Sequence, residues 1–414
     1  MTTNQPQKRQ KFLLSLATVC KYSAVSLVCL LPFLVPFTPN NNIDLQAYIL
    51  IIAGLLAAIS LLIKPVNIIK LYSKSSCVLV GVVLASYLLS SLTTSHLGYN
   101  LFGAPYFRFG LLGLISVILL ALLINQSAKT KLSLYLFIYL CLLNLLAIPY
   151  TLYRLQSLYR FGGFYSQADL MAMMLGLNIV FGLDLIIKAK TKMHRLLIEM
   201  ICLALFLELV LTQTRTVIYL VIIIGLIWYF IQFGLKIKKQ ALFFGLAVIA
   251  IFISTNYLVA NTARLTSVDY AKDSISYRLN LQQDTAGQSL KKPLTGWGPG
   301  NIADAVNCKY LNQPELKKTC AQNFFFNSSH NIYLDHILMV GFIGGLAYLI
   351  FIVFNLYKSL KTGVKNNIFW FSSLLIGAYY LTNVTNIELE TLFWISILAM
   401  ILTTTKAASL AKKD

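Results

Sequence analysis

Long apolar runs recur along the chain, separated by short polar connections, with one polar stretch of about 70 residues as the exception. A helix needs about 20 apolar residues to cross the hydrocarbon core, and somewhat fewer where the bilayer thins or the flanks snorkel. The pattern predicts twelve spans, near 12 to 37, 47 to 63, 77 to 92, 109 to 124, 132 to 151, 168 to 187, 196 to 211, 217 to 233, 241 to 259, 332 to 357, 368 to 385 and 391 to 405. The shortest, 77 to 92 and 196 to 211, also suit re-entrant or internally buried segments. The expected fold is therefore an all-α polytopic membrane protein. Residues 1–259 carry spans one to nine, 260–331 form a long loop with two or three helices, and 332–414 carry the last three spans and a tail.

Composition supports this reading and removes others. The chain is 58% hydrophobic, only 12% charged, and has a mean hydropathy of +0.73, values no ordinary soluble domain of 414 residues reaches. Its net charge of +20 lies in short clusters between apolar runs and not on one basic face, which excludes nucleic acid as the expected partner. The N-terminal "MTTNQPQKRQK" leads into an apolar stretch that lacks a small-residue cleavage site, so 12 to 37 reads as a retained helix.

Charge also orients the spans, because Lys and Arg in short connections stay cytoplasmic. With Lys8, Arg9 and Lys11 inside, every alternate connection holds a basic cluster: Lys64 to Lys74, Lys129 and Lys131, Lys188 to Arg195, Lys236 to Lys239, Lys358 to Lys365, and Lys406 to Lys412. Both termini are expected in the cytoplasm and the long loop outside. Arginine departs from this pattern: of eight, only Arg9 and Arg195 fall inside, while Arg108, Arg154, Arg160, Arg215, Arg264 and Arg278 fall outside. Topology alone would not sort Arg from Lys. A planar guanidinium fork binds carboxylate or phosphate in a bidentate way that ammonium does not, so external arginines at the membrane face point to a phosphate-bearing ligand. The plainer reading for each is a lipid headgroup contact or a helix end.

Several groups carry candidate chemistry. Arg215, in "LVLTQTRTVIYL", sits in a very short connection at the outer end of the bundle, where a charge needs a partner; either Glu208, seven residues earlier, or a bound phosphate supplies it. "GWGPG", 296 to 300, lacks the Lys-Ser/Thr ending of a phosphate loop and reads as a tight turn. His330, in "SSHNIYLDHI", ends the polar loop just before the tenth span and is followed by Asn331. Histidine suits proton abstraction near neutral pH, although a lone one at an interface also serves as a polar anchor. His336 falls on another helical face and reads as packing. Glu388 and Glu390, in the external "NIELE", are candidates to orient a base or bind an acceptor. Cys308 and Cys320 lie in the outer loop and are candidates for a disulfide. No HExxH, paired-His or Asp-x-Asp pattern offers a metal site, and no Gly-x-Ser-x-Gly elbow offers a covalent nucleophile.

In order, "TQTRTVIYL", "SYRLNLQQDTAGQSLKKPLTGWGPGN" and "SSHNIYLDHILMVGFIGGL" resemble the O-antigen ligase and polymerase superfamily over roughly 205 to 350. These are polytopic glycosyltransferases of the GT-C type, with an arginine opening a mid-chain span, a long periplasmic loop and His-Asn before the next span. "YRFGGFYSQADLMAMML" is similar to the family's Gly-rich opening of a span, with Ser-Gln-Ala-Asp in place of an Asn-Pro-Asn-like sequence. Thr214 and Thr216 stand where the family usually has Ser and a small residue.

The resemblance implies transfer of a glycan from undecaprenyl diphosphate on the periplasmic face of the bacterial inner membrane, without metal, cofactor or nucleotide sugar. His330 matches the family's essential histidine, Arg215 its span-opening arginine and Arg278 its loop arginine. The expected roles are His330 as general base and Arg215 and Arg278 on the diphosphate, with Arg154 or Arg160 assisting and Asn331 beside the base. One direct displacement implies inversion. Membrane lipids surround the chain, and the acceptor ranks as lipid A core first, with a growing glycan (polymerase) or a protein hydroxyl (O-oligosaccharyltransferase) as alternatives. A deletion strain separates these by accumulating free lipid A core, single-unit chains or unglycosylated protein. A lipid-linked glycan flippase has a similar span number but needs access from both faces. An assembly protein would tolerate substitution of His330 and the arginines.

Overall fold

In hydrocarbon every backbone N–H and C=O must be paired within the protein, so a chain of long apolar runs has the α-helix as its simplest solution. The computed structural model describes residues 5–34, 42–65, 67–68, 72–94, 96–103, 109–128, 131–154, 168–234, 245, 268–306, 328–364, 367–383 and 387–410. Among these residues all regular elements are helical. In chain order they are α1 (Gln5–Leu30, followed by a 3-10 turn, Leu31–Leu34), α2 (Asn42–Ile63), α3 (Lys74–Thr93), α4 (Leu97–Phe102), α5 (Leu111–Ala128), α6 (Leu132–Arg154), α7 (Ala168–Lys188), α8 (Lys192–Leu211), α9 (Arg215–Phe233), α10 (Val268–Ser289), α11 (Ile302–Ala305), α12 (Ile332–Gly363), α13 (Ile368–Tyr379) and α14 (Ile387–Leu410).

Each expected span falls on one of these helices except the ninth, 241 to 259, which apart from Gly245 lies outside the described residues. The eleventh is shorter than expected, because α13 gives way to a turn after Tyr379. Among the described residues six helical segments are long and apolar enough to cross a membrane: Arg9–Leu30, Leu45–Ile63, Lys74–Thr93, Ala168–Lys188, Arg215–Phe233 and Ile332–Gly363. Shorter apolar helices occur at Leu111–Gln126, Leu132–Ile148, Ile368–Tyr379 and Leu389–Thr405. Exposed Leu55, Leu62, Leu92, Leu142 and Leu145 on α2, α3 and α6 need lipid to cover them. The chain is a polytopic, all-helical membrane protein.

The chain divides into two compact units, and the division falls within α10 and α12. The first comprises 1–129, 281–355 and 384–414. In it α2 packs on α1 and α5, and α14 packs on α5. Small residues allow these approaches: a Cβ on Gly54 of α2 would overlap Ser116 of α5. Polar side chains then satisfy the backbone across helices, with Ser60 Oγ donating to the Ala17 carbonyl (2.9 Å) and Asn125 Nδ2 to that of Ile395 (3.1 Å).

The same unit holds a broken helix. At Gly341 the backbone of α12 leaves the helical region (φ 76°, ψ 175°), which frees main-chain groups inside an apolar span. The Gly-rich turn after α10 takes them up. Trp297 N donates to Leu338 O (2.9 Å), Gly298 N to Met339 O (2.9 Å), and Phe342 N donates back to Pro293 O (2.8 Å). Ser90 Oγ of α3 also donates to Met339 O (2.8 Å). The two segments meet main chain to main chain, with Gly296 and Gly341 both at positive φ. A Cβ at either would overlap the opposing backbone, at Met339 and Leu294 respectively. "GWGPG" is thus a turn, as its composition suggests, and it completes the hydrogen bonding of a discontinuous span.

The second unit comprises 130–280 and 356–383. Its centre is α7, whose residues are apolar and buried on nearly every side, as expected of an internal helix. It packs on α6, α8, α9 and α13. Gly176 admits Val217 and Val221 of α9, and Gly182 admits Cys202 of α8. At its C-terminal end Asp184 accepts from Ser133 Oγ (2.7 Å) and Lys188 Nζ (2.6 Å).

The main-chain contact at Gly341 gives a direct prediction. Gly341→Ala and Gly296→Ala each force an alanine into a left-handed conformation, at about 1–3 kcal/mol before any overlap is counted. Both are expected to lower the melting temperature of the solubilised protein by several degrees. Gly225→Ala, on α9 with open space around its Cβ position, is expected to leave it unchanged.

Candidate functional site

In the first unit His330 lies in a four-residue hinge, 328–331, that leads into α12. It adopts φ 60°, a left-handed conformation that costs a non-glycine residue about 1–3 kcal/mol and survives only where its surroundings over-determine it. The hinge supplies that constraint. His330 N donates to Ser328 Oγ (3.1 Å), and its carbonyl accepts from Gln282 Nε2 of α10 (3.5 Å). Ser328 Oγ donates to Asp335 Oδ2 (2.5 Å), and Ser329 N donates to Asp335 Oδ1 (2.8 Å). Ser329 Oγ accepts from Asn331 N (3.2 Å) and donates to Asn331 O (2.9 Å). Asn331 then caps α12, its Oδ1 accepting from Tyr333 N (3.1 Å) and Leu334 N (3.2 Å), two of the donors a helix start leaves open. Ser328, Ser329 and Asp335 are buried, while His330 and Asn331 are half-buried.

The other histidine of this segment has a different environment. His336 is buried, shares a 2.8 Å hydrogen bond with Tyr87 Oη and stacks on Tyr348 with ring centroids 3.9 Å apart. It is a packed side chain of the bundle interior, in line with the separation of the two histidines on the helical wheel.

In the second unit Arg215 is the first residue of α9, half-buried after the turn 212–214. Thr212, Gln213 and Thr214 are buried, and Gln213 is left-handed (φ 55°). Thr214 Oγ1 donates to Asp169 Oδ1 (3.1 Å) and to the Ala168 carbonyl (3.3 Å), which ties the Arg215 turn to the start of α7. A cation here adds to the positive end of the α9 dipole. Glu208 is half-buried on α8, and its Oε2 makes no hydrogen bond to the described residues.

Arg278 also belongs to the second unit. From α10 its Nη1 donates to Thr382 O (2.7 Å) and to Asn383 Oδ1 (3.4 Å), both in the turn after α13. These partners are neutral. Nε and Nη2 make no hydrogen bond to the described residues. Burial pushes the neighbouring Tyr277 hydroxyl pKa up, which keeps it a neutral donor.

The remaining expected groups are placed unevenly. Glu390 is buried on α14. Glu388 is in the first turn of α14 and Arg154 ends α6, but their side chains lie outside the described residues, as do Arg160, Cys308 and Cys320 altogether. Among the described residues no group of three or more His, Cys, Asp or Glu side chains gathers as a metal site. Asp335 and its two serines were not singled out by the sequence reading. The available signal was a Ser-Ser pair before the His-Asn and an acid in the first turn of the following helix, the residue types that fold the backbone back on itself.

No curated protein matches this chain. Residues 200–349 match the family described as O-antigen ligase, a segment of somewhat over a third of the chain that includes Arg215, Arg278 and His330. Over this segment the chain is similar to the O-antigen ligase family, which supports the resemblance of its motifs to that superfamily.

Proposed function

We propose that the protein transfers a glycan from undecaprenyl diphosphate to a hydroxyl of lipid A core at the periplasmic face of the inner membrane. Both termini are then cytoplasmic, and the fold is of the GT-C type. The observation that carries this reading is the hinge at 328–331. It fixes a half-buried histidine at the mouth of a span, within the segment that matches the O-antigen ligase family.

The chemistry follows from what a glycosyl diphosphate lacks. Its leaving group is already good, so two tasks remain: removing the acceptor proton and neutralising the charge that develops on the departing diphosphate. His330 takes the proton as the acceptor oxygen bonds to the anomeric carbon. The bond from that carbon to the diphosphate oxygen breaks, and undecaprenyl diphosphate leaves. Arg215 and Arg278 hold the diphosphate with fixed guanidinium charge, assisted by Arg154 or Arg160, in the part a divalent cation plays elsewhere. Attack from the side opposite the leaving group inverts the anomeric configuration. Asn331, Glu388 and Glu390 are proposed to orient the acceptor side.

Two substitutions test the assignment in a reconstituted transfer assay. His330→Ala is expected to lower turnover by about 10²–10⁴-fold, the contribution of a general base, with normal expression and folding. Full transfer by this variant would refute the base assignment. Arg215→Lys keeps the charge and loses the fork; with charge-assisted hydrogen bonds worth about 1.5–3 kcal/mol, a fall of tenfold or more is expected. Wild-type activity would mean that guanidinium geometry is not needed there.

A further inference from the structure

We propose that Asp335 is the positioning residue of His330, holding the histidine backbone in its left-handed conformation through Ser328 and Ser329. This inference rests on the reading of His330 as the base. Asp335 lies five residues beyond His330, one turn into α12, and its carboxylate turns back along the chain. One oxygen accepts from Ser329 N at 2.8 Å and the other from Ser328 Oγ at 2.5 Å. The same Ser328 oxygen accepts from His330 N at 3.1 Å. A single buried acid thus fixes the residues on the N-terminal side of the histidine, while Asn331 fixes the C-terminal side through the helix cap.

Three features distinguish this arrangement from ordinary helix capping. A cap acts on the free N–H groups of its own helix, whereas Asp335 acts on groups that precede the helix. Ser328, Ser329 and Asp335 are 5%, 0% and 1% exposed, so water cannot replace the bonds if the acid is removed. The residue they constrain, His330, is the only one of the hinge with a left-handed backbone. Loss of the carboxylate releases the hinge toward ordinary backbone conformations and moves the imidazole off its reacting geometry, while the arginines of the donor site are untouched. Misplacement of a reacting group by about 1 Å is enough to cost on the order of 10²-fold in rate.

The test is steady-state transfer by Asp335→Asn, Asp335→Ala and Ser328→Ala, with melting temperature measured alongside. Asparagine retains an acceptor for Ser329 N, and alanine retains nothing. The expected order of kcat is wild type, then Asn, then Ala, with losses of about tenfold to 10²-fold and KM for the lipid-linked donor unchanged. Ser328→Ala removes only the hydroxyl that links the acid to His330 N, and it is expected to lower kcat with little change in melting temperature. If the Asp335 variants do not fold, Ser328→Ala decides alone. Wild-type kcat in Ser328→Ala and Asp335→Asn, beside an inactive His330→Ala, would overturn the positioning role and leave the base assignment standing. Losses that follow melting temperature or raise KM equally would make the acid a purely structural residue. Full activity of His330→Ala would instead remove the reading on which the proposal rests.

Discussion

Inside a bilayer a carbonyl that loses its helical donor has no water to replace it, and that constraint shapes the first unit. The break in α12 at Gly341 leaves the carbonyls of Leu338 and Met339 and the amide of Phe342 to be paired. They are paired by the turn from Pro293 to Gly298, which therefore cannot drift away as a loose loop. With the turn held, α10 ends at a defined place, where Trp297 Nε1 donates to Gln288 O at 3.0 Å. From the same helix Gln282 reaches the His330 carbonyl. The short helical segment between His330 and Gly341 is thus fixed at both ends, by the hinge on one side and by the docked turn on the other.

A similar economy applies to charge. The turn before Arg215 is tied through Thr214 to Asp169, and Arg278 is held by neutral groups, a carbonyl and an amide oxygen. Such partners orient a guanidinium without cancelling it.

Much of the fold was legible because membrane insertion writes itself into composition. Apolar length predicts the helices α1 to α3, α5 to α9 and α12 to α14, and α13 ends sooner than its apolar run suggests. His330 and Arg215 were legible as polar or charged residues where an apolar environment makes them costly. The Gly341 break was not, since "MVGFIGGL" is apolar throughout, and only the partner segment reveals which glycine opens the helix. Asp335 was hidden for a related reason. Its role depends on the chain doubling back over seven residues to Ser328, a long-range consequence of one left-handed residue that no periodicity encodes.

The most direct test of the account is a balance of products in proteoliposomes. Purified protein, lipid-linked glycan and lipid A core are combined in excess chelator, and both the released undecaprenyl diphosphate and the glycan joined to acceptor are quantified by mass spectrometry. Equimolar release and joining, with inverted anomeric configuration, is the predicted result. Movement of the lipid-linked glycan across the bilayer without a covalent product, or a strict need for added divalent metal, would contradict it.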